Sequence, residues 1–214
     1  MYYRNEWKYL VTDADLAVLG ARLKVLLPMD KHQTGSAYAI RSLYFDDLQN
    51  SCLRENEAGV DDRRKFRLRL YNGSAERIQL EIKEKLHGKT HKSSCLVSAD
   101  ECRRIMAGAA PPIGPGTPAP RNLLSVAMRT AGIIRECVDL VQQATGVVMD
   151  VNSLSYNRLM SHIKYMAARL LKGERLSMDD NHIMQASCPR AFDISEEICR
   201  QLERTLGRQV DEAE

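Results

Sequence analysis

No run of eighteen apolar residues occurs in the 214-residue chain, so no segment reads as a membrane-crossing helix. The first ten residues, MYYRNEWKYL, lack the pattern of a secretory leader. The six cysteines (Cys52, Cys95, Cys102, Cys137, Cys188, Cys199) contain no CxxC pair, and no close cysteine or histidine pairs supply zinc ligands. They read as scattered reduced thiols of a cytoplasmic protein. Excess charge is also scarce: the net value is only +3, which predicts nothing about partners by itself. Its distribution is more informative. Residues 1–108 carry 19 basic and 15 acidic side chains, and the remainder carries 12 and 13, so the positive excess lies in the first half. No internal repeat is evident. Proline is rare except in residues 108–120, GAAPPIGPGTPAP, where five prolines in thirteen residues exclude a helix interior or a central strand and mark a linker.

What is present is a basic stretch from Arg63 to Lys92 with period-two alternation. Phe66, Leu68 and Leu70 alternate with Arg67, Arg69 and Tyr71; Ile78, Leu80 and Ile82 alternate with Gln79, Glu81 and Lys83. Such alternation marks half-buried strands. Asn72-Gly73-Ser74 and His87-Gly88-Lys89 read as turns, the second leading into a strand that carries Lys92. Cations aligned on neighbouring strands suggest a surface or tunnel for a polyanion. The alternative is a solvated sheet face neutralised by Glu81, Glu84 and Asp61.

Around this stretch the chain reads in order. Residues 6–11, EWKYLV, alternate as a first strand with Glu6 and Lys8 on its charged face. Thr12 or Asp13 caps a helix with leucines at helical spacing (Leu16, Leu19, Leu23, Leu26, Leu27). Residues 38–47 form a strand ending in Asp46-Asp47, read as a strand-end cap or turn in preference to a metal-binding pair. Residues 49–58 form a short helix, and Ser98 caps another with Glu101 in capping-box spacing. Beyond the linker the chain becomes helical: residues 123–145 as one long amphipathic helix, with Gly132 as its one candidate break; residues 153–173, with one apolar stripe; a short helix over 179–185; and a last helix ending at Gly207. The fold class is α+β: a partial antiparallel β-barrel with short helices over 1–108, a Pro/Gly-rich linker over 109–121, and an all-α bundle over 122–214.

The segments RNEWKYLV, IRSLYFDD, CLRENEAGV, RRKFRLRLYNG, IQLEIKEKLHGKTHKSS and SADECRRIMAG resemble, in order and spacing, the N-terminal half of a VTC-type polyphosphate polymerase domain, a triphosphate tunnel metalloenzyme. LLSVAMRT extends the likeness a little. The resemblance implies a closed antiparallel barrel whose inward cations hold ATP, triphosphate or polyphosphate. It implies phosphate-binding roles for Lys8, Arg54, Arg67, Arg69, Lys83 and Lys92, with Glu6 and Glu81 in support. Arginine forks and lysine ammoniums neutralise phosphate oxygens as charge builds on the leaving group, and manganese or magnesium would share that load. The family's second half, with further arginines, a metal-binding glutamate and a closing lysine, has no expected counterpart after residue 130, so the reading is of an incomplete catalyst.

IIRECVDLVQQATGVVM, LSYNRLMSHIKYMAARLLKGE and CPRAFDISEEICRQLERTLGRQVDEAE resemble a PTS regulation domain, the helical module of sugar-responsive bacterial antiterminators. That resemblance implies His162 as phospho-acceptor, Arg169 on the same helical face, PTS phosphocarrier proteins as partners, and a homodimer whose packing the added charge biases. Nucleic acid is not expected as a ligand, for want of aromatics among the basic strands. The expectation is a regulatory domain truncated at its C-terminus, before a second histidine helix.

Overall fold

A computed structural model describes residues 5, 7–30, 33, 35, 37–174, 181–207 and 209–210. Their contacts divide the chain into two compact units, Met1–Leu124 and Ser125–Glu214.

The first unit is built on one four-stranded antiparallel sheet, in the order β1 (Ile40–Phe45), β2 (Arg63–Tyr71), β3 (Ile78–Leu86) and β4 (Lys89–Val97). It is a meander, with neighbours in sequence paired in space. The sheet is open: β1 and β4 are edges, so among the described residues it does not close into the expected barrel. Only the α+β class and the antiparallel pairing follow from the coordinates.

The β3–β4 hairpin turns through His87 and Gly88, both at positive φ (49° and 72°). A two-residue turn of this type matches the right-handed twist of the strands it joins. Asp61 fastens it by accepting the Gly88 amide hydrogen at 2.8 Å. Alternation places Phe66, Leu68, Ile78, Leu80, Ile82 and Val97 in the buried core, joined by Cys102, Ile105 and Leu124. The two side chains with no exposed surface, Leu80 and Ile82, lie on β3, where a strand has neighbours on both sides.

Three short helices accompany the sheet. α1 (Asp13–Leu26) starts at a full capping box, Thr12 with Asp15. α2 (Ser51–Glu57) follows β1. Asp46 and Asp47 accept amide hydrogens from Gln49, Ser51, Cys52 and Leu53 at 2.8–3.0 Å, so this pair caps the α2 terminus. α3 (Ala99–Met106) makes half of its expected capping box. Ser98 Oγ accepts the Glu101 amide hydrogen, while the Glu101 carboxylate turns away to Arg121, 2.7 Å distant.

One sequence expectation fails here: residues 7–11 are not a strand, although they alternate like one. The helix expected from the leucine spacing forms as α1, and it buries none of its residues.

Residues 109–118 carry no helix or strand, but Pro111 is fully buried, so part of the linker is packed. α4 (Ala119–Thr145) begins in the first unit and runs on into the second without a break at Gly132. Pro120 lies in its first turn, where a missing N–H costs nothing.

The second unit is helical among its described residues: the rest of α4, then α5 (Leu154–Lys172), α6 (Asn181–Ser187) and α7 (Pro189–Leu206). Its core gathers Ile133, Ile134 and Cys137 of α4, Tyr156, Met160, Ile163, Met166, Ala167 and Leu170 of α5, Leu202 of α7, and Val210. Ser153 caps α5 by accepting the Tyr156 amide hydrogen, and Gly173 ends it in the left-handed conformation. α6 covers the expected short helix from Asn181 onward; Asp179 and Asp180 lie outside the described residues.

Candidate functional site

The period-two pattern that buries Phe66, Leu68, Leu80 and Ile82 sends their neighbours to the opposite face. Register then aligns those neighbours in rows across the strands. Tyr44 pairs with Arg67, Arg67 with Glu81, and Glu81 with Ser94. Ser42 pairs with Arg69, and Arg69 with Gln79. Lys65 pairs with Lys83, and Lys83 with Lys92. Cross-strand partners on one face have Cβ atoms about 4.5–5.5 Å apart, so each row behaves as one electrostatic unit.

Glu81 is the centre of this face. Its side chain is 1% exposed, and three cations converge on it. Arg67 Nε lies 2.6 Å from Oε2, Arg69 Nε lies 3.7 Å from the same oxygen, and Lys92 Nζ pairs with Oε1. Burial pushes the Glu81 carboxyl up, but hydrogen bonds from Lys92 and Arg67 outweigh it and hold the group below its ordinary value. Glu81 is therefore ionised at neutral pH.

Arg67 is fixed from both sides. Its Nη1 donates to the Tyr44 hydroxyl at 2.9 Å, and its guanidinium carbon stands 5.7 Å from the centre of the Tyr44 ring. Burial raises the Tyr44 phenol, while Arg67, Arg69 and Lys65 pull it the other way and leave it lowered. Arg69 Nε donates to Ser42 Oγ at 3.1 Å. The Arg67 and Arg69 side chains are only 15% and 19% exposed, far less than a solvated surface arginine.

The structure thus brings together Arg67, Arg69, Lys83, Lys92 and Glu81 on one sheet face. Lys8 sits on no strand, correcting the expectation of a first tunnel strand, but its charge is felt at Lys65. Arg54 stands apart: it is exposed on α2 and donates to the Gln49 carbonyl. Glu6 lies outside the described residues. Two further members, Tyr44 and Lys65, escaped the sequence reading. Lys65 carried a signal, because it continues the alternation of Arg67 and Arg69 by one step. Tyr44 carried none, since only the β1–β2 register places it opposite Arg67.

The donors of this face do not compose a protein-built metal site. Both oxygens of its buried carboxylate are taken by cations, and no group of three or more histidine, cysteine, aspartate or glutamate side chains is placed to hold a metal among the described residues. Two of the thiols are no more promising as nucleophiles: burial pushes Cys52 and Cys137 up to about 12.

In the helical unit, His162 is exposed on α5, on the side opposite Met160, Ile163 and Ala167. Arg158, one turn earlier, is also exposed, and Arg169 is partly buried two turns later.

Comparison with known proteins gives two findings. The chain matches the model of the VTC domain over residues 3–203, past residue 130, where the sequence resemblance was expected to stop. It is also similar to two kinds of curated relative. One is the GlcA/glcB genes antiterminator of Staphylococcus carnosus, 29% identical over 87 residues, or 40% of this chain and 30% of that protein. The other is Protein GlcT of Staphylococcus epidermidis, 27% identical over 84 residues, or 38% of this chain and 30% of that protein. The chain thus spans about 30% of the length of these relatives. No solved structure matches it. No helix among the described residues is long and apolar enough to cross a membrane.

Proposed function

Because the chain belongs to the VTC domain family, we propose that the charged face of its sheet binds a linear phosphate chain: polyphosphate, triphosphate or the triphosphate of ATP. The observation that carries this reading is the convergence of Arg67, Arg69 and Lys92 on the buried Glu81. An ordinary solvated face has no need of a carboxylate at 1% exposure to hold its cations. Glu81 pre-orients the guanidinium planes. Arg67 uses Nε on Glu81 and Nη1 on Tyr44 and keeps other N–H donors for phosphate oxygens. Lys83 and Lys92 add point charges along the same face, with Lys8 near Lys65. Manganese or magnesium, where present, would arrive with the phosphate ligand and neutralise its oxygens.

The reading is of a phosphate-binding domain of polyphosphate-polymerase ancestry. The test is titration calorimetry with polyphosphate at two salt concentrations, alongside assays of ATP and triphosphate turnover with manganese or magnesium. Expected are salt-sensitive binding, at least about a hundredfold weakening when Arg67 and Arg69 are both replaced by alanine, and no turnover. Binding unchanged in the double variant sinks the reading; metal-dependent turnover replaces ancestry with present activity.

A second reading attaches to the helical unit, supported by the antiterminator relatives and the exposure of His162. In it, a cytoplasmic PTS phosphocarrier passes a phosphoryl group to His162, and the new charge biases dimer packing. Labelling from a phosphorylated carrier protein, lost in His162→Ala, is the expected outcome. Equal labelling of that variant removes the assignment.

A further inference from the structure

We propose that Lys65 is a further phosphate contact: with Lys83 and Lys92 it forms a lysine row across the sheet that grips one part of a phosphate chain while Arg67 and Arg69 grip the next. This rests on the reading of the sheet face given above, and it adds a residue that neither alternation nor resemblance singled out.

Three observations carry it. First, the register sets Lys65 directly opposite Lys83, and Lys83 directly opposite Lys92. Like charges in directly opposed positions destabilise a sheet; Glu81 already answers Lys92, and a bound polyanion relieves the opposition of Lys65 and Lys83. Second, Lys65 is held in place. Its ammonium donates to Asn56 Oδ1 of α2, so the helix after β1 braces the end of the row. Third, the charge around Lys65 is almost all of its own sign. Burial, then Arg63, Lys83 and Lys8, push the ammonium below the usual lysine range, with Tyr44 the opposing influence.

The geometry also specifies the class of ligand. Lys65 and Arg67 are two residues apart on β2, so their rows are separated by about 7 Å along the strand. The arginine row shares its charge with Glu81, whereas Lys65 faces a neutral amide. A chain of several phosphates can lie along the strand and engage both rows. A single orthophosphate engages one.

The experiment compares wild type, Lys65→Gln, Lys65→Arg and Lys89→Gln, with tripolyphosphate and orthophosphate as probes, circular dichroism serving as the folding check. Lys89 lies on the opposite face of β4 and is the control for general charge. Expected is about a tenfold loss of tripolyphosphate affinity in Lys65→Gln, the scale of one charge-assisted contact. Lys65→Arg and Lys89→Gln should stay within about threefold of wild type, and orthophosphate should bind weakly to all four. A measurement on the wild-type chain stands independent of any variant's folding: tripolyphosphate must shield the Lys65 amine from acetylation together with that of Lys83.

Lys65→Gln binding like wild type, or Lys65 acetylated at full rate under bound tripolyphosphate, overturns the proposal while the arginine pair keeps its role. Equal losses in Lys65→Gln and Lys89→Gln overturn it in favour of general charge. A wild-type chain that binds no tripolyphosphate brings down both this inference and the reading beneath it.

Discussion

The sheet unit and the helical unit use charge in opposite ways. On the sheet, Arg67 and Arg69 are drawn out of water onto one buried carboxylate, which the exposed Lys92 also pairs with, and a tyrosine and a serine hydroxyl fix the guanidinium groups further. In the helical unit the core is apolar, and its candidate residue, His162, stands exposed on the outer side of α5. The difference is physical. A buried ion-pair network specifies geometry and is vulnerable to the loss of any member. An exposed histidine contributes little to the fold and is free to change charge. A ligand that binds by shape and charge suits the first; a covalent modification suits the second.

The sharpest way to break this contrast is Glu81→Ala. It leaves Arg67, Arg69 and Lys92 gathered around an absent carboxylate, and the expected loss is about 3–5 kcal/mol of sheet-unit stability, read by thermal or urea unfolding. Added tripolyphosphate should restore part of that loss, because it replaces the missing negative charge. No destabilisation means that Glu81 is not the centre of the face.

The two cores are separated next. Leu80 and Leu202 have no exposed surface, one in each unit. Each change to alanine should cost about 2–5 kcal/mol. In calorimetry Leu80→Ala should lower the transition of the sheet unit and Leu202→Ala that of the helical unit. A single transition moved equally by both would join the units into one cooperative body.

The acid response should differ as well. The Glu81 carboxyl sits below its ordinary value of 4.5 in the folded chain. The stability it supplies is therefore complete above pH 4.5 and lost as pH falls through the lower folded value. The sheet unit should loosen in that acid range, and Glu81→Gln should flatten the dependence there. An unchanged acid profile in that variant would assign the loosening to another group.

The smallest effects are expected at exposed positions. His162→Ala should change stability by less than about 0.5 kcal/mol while abolishing any phosphohistidine labelling. Leu23→Ala on α1 should be similarly mild, because that helix buries none of its residues. A large loss at Leu23 would show that its apolar side is covered in solution.

Much of this was legible in the chain. The alternation through β2 and β3 announced both strands, because a half-buried sheet imposes a period of two. Capping residues placed the starts of α1 and α3, since their hydroxyls answer amide hydrogens only three residues away. The Asp46-Asp47 pair read as a strand-end cap or turn, and the structure turns it on the start of α2, where Asp46 accepts amide hydrogens from six and seven residues away. Residues 7–11 show where such reasoning stops. They alternate as cleanly as β2 does, but a strand exists only by pairing, and pairing is not encoded in the segment itself. Glu101 makes a similar point: its spacing predicts a capping box, and a distant Arg121 outcompetes the local amide for its carboxylate. The long helix expected over residues 123–145 forms as α4, and it runs straight through its one candidate break, Gly132, beside the buried Ile133 and Ile134.

The sequence by itself determined which residues share a face of each strand and each helix, because side-chain direction follows from local backbone period. It therefore determined that Lys65, Arg67 and Arg69 lie together, opposite Phe66 and Leu68, and that His162 lies away from Ile163 and Ala167. Only the tertiary structure decided which strand lies beside which, and at what register. That choice set Arg67 against Glu81 rather than Lys83, aligned Lys65 with Lys83 and Lys92, and brought Tyr44 to Arg67 across 23 residues of chain. The reason is that charge and hydrogen bonding at this face act across strands, over contacts that no local period specifies.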